Sequence, residues 1–99
     1  MPAGEIWHLE LGGKVITPLR IDLYEFPWHH ATVLDPAAFE RFRPYFADPD
    51  TWPEGDPAFD QLLSEIKAAE ITIRDLSRGE VHPEPLLWVD SPTDVHFRV

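Results

Sequence analysis

At 99 residues, with 43% hydrophobic side chains and no cysteine, the chain can bury one compact core and excludes disulfides, thiol nucleophiles and thiolate metal sites. Eighteen acidic against eight basic side chains leave a formal charge of −10, which opposes contact with phosphate backbones and argues against nucleic-acid binding. No apolar run approaches the roughly 20 residues that cross a bilayer, and the first residues carry neither a basic stretch nor a signal-like apolar core, so the expectation is a soluble cytoplasmic protein with no membrane partner.

Glu5 to Leu11 alternates, with Trp7, Leu9 and Leu11 on one side and Ile6, His8 and Glu10 on the other, the period of a half-buried strand. Gly12-Gly13 can take the positive φ angles of a tight hairpin, so Lys14 onward should return antiparallel. Leu19, Ile21 and Leu23 continue the apolar side and Arg20, Asp22 and Tyr24 point away, while Pro18, with no N–H for the ladder, suggests an edge or a bulge. Phe26-Pro27-Trp28-His29-His30 breaks the alternation, and Ala31 to Leu34 reads as a short third strand.

Two helix starts follow. Asp35-Pro36 and Asp56-Pro57 each place a carboxylate where it can accept the unbonded N–H groups of a first turn, and a proline where its fixed φ suits the first helical position. Phe39, Phe42 and Phe46 form an aromatic stripe at helical spacing, with Pro44 expected to kink or end the helix near Arg43. Phe59, Leu62, Leu63 and Ile66 give the second helix, Asp56 to about Ala69, its apolar face. Between them, the proline- and acid-rich run Asp48 to Asp56 reads as an exposed connection. Ile71 and Ile73 begin another strand, Ser77 to Glu80 is a turn, Val81 to Pro85 reads as a proline-bounded loop, and Leu86 to Asp90 with Asp94 to Val99 forms a last hairpin.

The pattern predicts one α+β domain over residues 1–99: an antiparallel sheet of about five to six strands with two consecutive helices packed on one face, in the order β-β-β-α-α-β-β-β. If the helices cover Trp7, Leu9, Ile21, Leu23, Ile71, Ile73, Leu87, Val89, Val95 and Phe97, alternation sends His8, Arg20, Asp22, Tyr24, Arg74, Trp88, His96 and Arg98 to the open face. Tyr, Trp and Arg are the types enriched at binding hot spots, so this face is one candidate binding surface. A register slip of one residue would exchange the two faces. The acidic inter-helix loop, with Asp48, Asp50, Trp52 and Glu54, is a second candidate.

Chemistry is thinly signalled. His29 and His30 are adjacent, and neighbours on an extended strand face opposite ways, so the pair makes a poor metal site. His8 and His96 could meet only if the first and last strands were neighbours. The Asp48 to Asp56 run lacks the glycine register of an EF-hand. Ser64, Ser77 and Ser91 have no nucleophile elbow, and there is no phosphate-cradling glycine loop. No cofactor, metal ligand set or catalytic residue is assigned.

Phe26-Pro27-Trp28, Phe39-Glu40, Arg43-Pro44-Tyr45-Phe46, Leu86-Leu87-Trp88-Val89-Asp90 and Phe97-Arg98 together resemble landmarks of a family of small, acidic bacterial proteins of unknown function. The resemblance spans most of the chain and implies a shared fold, with no activity or catalytic residue to carry over. The function expected is a protein-binding or regulatory module acting through the open face or the acidic loop, for instance one that neutralises a basic toxin, or a self-associating homodimer. The alternative is a small metal-dependent or hydrolytic enzyme built on the histidines and acids of the open face.

Overall fold

In the computed structural model residues 4–99 are described. The chain runs β1 (Ile6–Leu11), β2 (Lys14–Glu25), β3 (Trp28–Val33), α1 (Pro36–Phe39), α2 (Pro57–Ala69), β4 (Ile71–Asp75), β5 (Glu80–Pro83), β6 (Leu86–Val89) and β7 (Asp94–Arg98), with short 3-10 turns at Arg43–Phe46 and Pro49–Thr51. The strands form one antiparallel sheet of seven in the order β5-β4-β1-β2-β3-β7-β6. Among the described residues no helix is long and apolar enough to cross a membrane.

The α+β class with an antiparallel sheet is as expected, but the strand count and the helices differ. The stretch expected as a loop after Glu80 is β5, because Val81 and His82 find Arg74 and Ile73 as ladder partners despite the prolines around them. The first helix is a single turn. Asp35 caps it, its side chain accepting from the Ala38 N–H, but the chain tightens into the 3-10 turn that contains Pro44, whose missing N–H and ring prevent an α-helix there. Phe39, Phe42 and Phe46 are all buried nonetheless. Asp56 caps α2 as anticipated, accepting from Ala58 and Phe59, and Phe59, Leu62 and Ile66 are its buried residues.

The sheet curls strongly. Its two edge strands, β5 and β6, are joined only by Glu84 and Pro85, a link that spans at most about 11 Å. Both edges must therefore come together, and the ring of Trp7 in β1 lies 5.9 Å from His82 in β5 and 5.7 Å from Phe97 in β7. The result is an incompletely closed barrel with one continuous core inside, from Trp7, Leu9, Leu19 and Ile21 to Ile73, Leu87, Val95 and Phe97. Glu84, at φ 50°, shifts the inward parity from His82 in β5 to Leu87 in β6. The helical segment packs at the end of the curl that holds the β1–β2 turn, where Gly12 donates to the Glu70 carbonyl at 3.0 Å. At the other end Trp7 stands opposite Asp75.

A bulge in β2 reassigns one predicted site residue. The ladder between β2 and β3 shifts between Ile21 and Leu23, leaving Asp22 as the extra residue. Beyond it the alternation inverts: Leu23 pairs with His30 and faces outward, 54% exposed, and Tyr24 pairs with inward-facing His29. Tyr24 is thus on the core side, its ring 4.6 Å from that of His29, and Leu23 takes its expected place outside.

Candidate functional site

The outer surface of the sheet divides into two halves of different character. On β4, β1 and β2 the charges satisfy one another. Arg74 donates to both oxygens of Glu10, at 2.9 and 3.4 Å, and Glu10 is buried although it faces outward; His8 Nδ1 lies 3.9 Å from the same carboxylate. Arg20 donates to Asp22 at 2.8 Å and to the Thr32 hydroxyl at 3.1 Å, and that hydroxyl donates to Asp22. Burial would raise the Asp22 pKa, but the Thr32 hydroxyl and the Arg20 guanidinium together hold it below the usual carboxylate value. Three predicted surface residues, His8, Arg20 and Arg74, are therefore occupied within the fold.

The half on β2, β3, β7 and β6 is aromatic. Leu23 pairs with His30, His30 with His96, and His96 with Trp88, so these four side chains form one row across four strands. Trp28 stands edge-on to His96 at 5.0 Å, and the His30 and His96 rings are 5.8 Å apart. Trp88 is 44% exposed, and Arg98 pairs with exposed Leu86 in the next row. Carboxylates flank the row: Asp90 approaches His96 Nδ1 at 2.8 Å, and Glu25 approaches His30 Nε2 at 3.5 Å.

Of the predicted face, then, Trp88, His96 and Arg98 gather in this half. Sequence reasoning missed Leu23, Trp28 and His30, which join them. The signal for the last two was the alternation Trp28, His30, Thr32, hidden by treating residues 26–30 as a break. His8 on β1 and His96 on β7 are separated by β2 and β3 and do not meet. His29 and His30 face opposite sides, as adjacent strand residues must. Among the described residues no group of three or more His, Asp or Glu side chains is arranged to hold a metal ion.

The acidic loop is built largely for structure. The Asp48 side chain accepts from the Asp50 N–H and caps the second 3-10 turn. Trp52 folds back, its ring 5.6 Å from Tyr45 and 5.4 Å from Phe59, and covers the helical segment rather than projecting from it. Asp50 and Glu54 remain exposed.

Inside the curl, at the end away from α2, lies a polar group that sequence reasoning did not assemble. Asp75, buried, accepts from the Ser77 and Arg78 N–H groups and from the Arg78 guanidinium. Glu5 accepts from the Ser77 hydroxyl at 2.8 Å and from the Trp7 indole at 3.4 Å. Beside them His29, 6% exposed, stacks on Phe97 and leans on Trp7 and Tyr24. Burial lowers the His29 pKa, and so does His82; Asp75 and Glu5 oppose them without prevailing.

No protein-family description, curated protein or solved structure matches the chain.

Proposed function

We propose that this chain is a cytoplasmic protein-recognition module that seats the basic surface of a partner protein on the aromatic half of its outer sheet. The supporting observation is the row Leu23, His30, His96 and Trp88, with its two ends about half exposed and Trp28 packed behind it. Large rings held by a rigid sheet bury area on docking with little loss of side-chain freedom, the property that makes aromatic residues binding anchors. Glu25, Asp90 and the net charge of −10 supply the complement to a basic partner and steer its approach. The same charge on two copies of this chain opposes their association through this face.

The test compares wild type with two folded double variants, Leu23→Ser/Trp88→Ser on the row and Asp50→Asn/Glu54→Gln on the loop. A protein retained by wild type from the native cell is purified and titrated against all three. Loss of at least about tenfold in affinity for the row variant alone, about 1.4 kcal/mol, is the expected result. Equal affinity for wild type and the row variant overturns the proposal. Weakening confined to the loop variant moves the site to the acidic loop, and concentration-dependent dimers of wild type that the row variant lacks would make the occupant a second copy.

A further inference from the structure

We propose that His29 and Glu5 form a proton-operated latch inside the curled sheet, and that closing it reshapes the aromatic row on the outside. The part of this that concerns the row as a docking surface rests on the function proposed above; the latch itself does not.

Among the described residues three buried side-chain atoms have no hydrogen-bond partner: Glu5 Oε2, His29 Nδ1 and Trp52 Nε1. Trp52 belongs to the helical segment, but Glu5 and His29 belong to the same end of the barrel. Their two orphan atoms have a shared need. A carboxylate oxygen can only accept, and an imidazole nitrogen without its hydrogen can only accept, so one added proton on Nδ1 would give Glu5 Oε2 the donor it lacks.

The surroundings leave that proton few other destinations. Around His29 are Tyr24 from β2, His82 from β5, Asp75 from β4 and Glu5 ahead of β1, with Trp7 and Phe97 as apolar walls; Arg78, beyond β4, lies against Asp75 and Glu5. A charged His82 repels an imidazolium. Asp75 already accepts from two backbone N–H groups and the Arg78 guanidinium. Of the two carboxylates, only Glu5 has an unused buried oxygen.

Closure has a structural cost that is felt outside. The His29 ring lies within 6° of parallel to Phe97 at a centroid distance of 5.0 Å, and the two residues are direct ladder partners of β3 and β7. Turning the imidazole toward Glu5 breaks that stack. The chain neighbours of this inward pair, Trp28 and His30 on β3 and His96 and Arg98 on β7, point the other way and carry the aromatic half of the outer face. The coupling runs through these shared strands, so that movement of the inward pair would be felt at the Trp28–His96 contact outside.

The test is an NMR pH titration of wild type, Glu5→Gln, His29→Phe and His29→Gln, following the imidazole Cε1 signals and the Trp28 indole N–H. Partner binding is not needed, so failure here leaves the docking surface standing, and failure of the docking test leaves the titration valid. In wild type the Trp28 signal should show a step with the midpoint of His29, below the ordinary histidine value of 6.5. Glu5→Gln should move that midpoint down by about half a pH unit or more, since it removes the anion that receives the proton. Both His29 variants should abolish the step at Trp28. An unchanged Trp28 curve in whichever His29 variant folds, an unmoved His29 midpoint in Glu5→Gln, or a His29 that stays neutral until the whole protein unfolds would each overturn the latch.

Discussion

Gly12 and Ala69 are so closely packed that a Cβ on the glycine would lie 2.9 Å from the alanine Cβ. This contact, with the hydrogen bond from Gly12 to Glu70, ties the β1–β2 turn to the end of α2. Gly13, next in the same turn, has no atom within 4 Å of its hypothetical Cβ, although its φ of +84° is as unsuited to a side chain as the +59° of Gly12. Gly12→Ala should therefore cost about 2–3 kcal/mol, and Gly13→Ala about 1 kcal/mol from backbone strain alone. Urea unfolding of the two variants separates the contributions, and equal losses would show that the approach to Ala69 carries no weight.

His29 predicts a pH dependence. Burial first, with His82 adding to it, makes the folded protein hold fewer protons at this residue than the unfolded chain does. Its contribution is complete above the ordinary value of 6.5 and is lost as pH falls from there toward the lower folded value. Stability of wild type measured by urea at pH 7.5 and 5.5 should fall, and the fall should be smaller in His29→Phe. Identical pH slopes in the two proteins would exclude His29 as the origin.

Asp75 acts in the same direction at lower pH. Burial would raise its pKa, but the hydrogen bonds from Arg78 and Ser77 and the Arg78 charge outweigh it, so the folded value lies below 3.8. Its stabilisation is present above that value and disappears as pH drops through the folded pKa. At neutral pH, Asp75→Ala strands two backbone N–H groups and should cost about 2–3 kcal/mol. Thermal unfolding tests this, and a loss below about 0.5 kcal/mol, the range of ordinary surface changes, would contradict the assigned bonds.

Trp52 and its acidic neighbours should separate cleanly. Trp52→Ala removes a ring packed on Tyr45 and Phe59 and should destabilise by about 2–3 kcal/mol, whereas Asp50→Ala and Glu54→Ala should each stay within about 0.5 kcal/mol. Trp88→Ser, on the outer row, belongs with the second group. A Trp52→Ala protein as stable as wild type would return Trp52 to the list of projecting anchors.

The sequence carried what alternation and caps encode. Asp35 and Asp56 cap where their prolines said they would, and nearly all of the inward set from Trp7 to Phe97 lies inside. Leu23 and Tyr24 were misplaced because a bulge at Asp22 inverts every side chain after it, and nothing in the local pattern marks a bulge. β5 escaped because its strand character comes from pairing with β4, not from its own proline-bounded composition. The outer row needed the strand order, since Leu23, His30, His96 and Trp88 come from four strands that no spacing rule aligns. The meeting of Glu5 and His29 likewise depends on the curl that brings Trp7, His82 and Phe97 together.

The brevity of the two outermost strands sets a limit on how anything can adhere here. Each is four residues long, one ends in Pro83 and the other starts straight after Pro85, so neither margin offers a long run of amide rungs for a foreign strand to zip onto. A visitor must be read by rings and charges on the flank of the wall. The same guard discourages copies of the chain from growing into stacked ribbons.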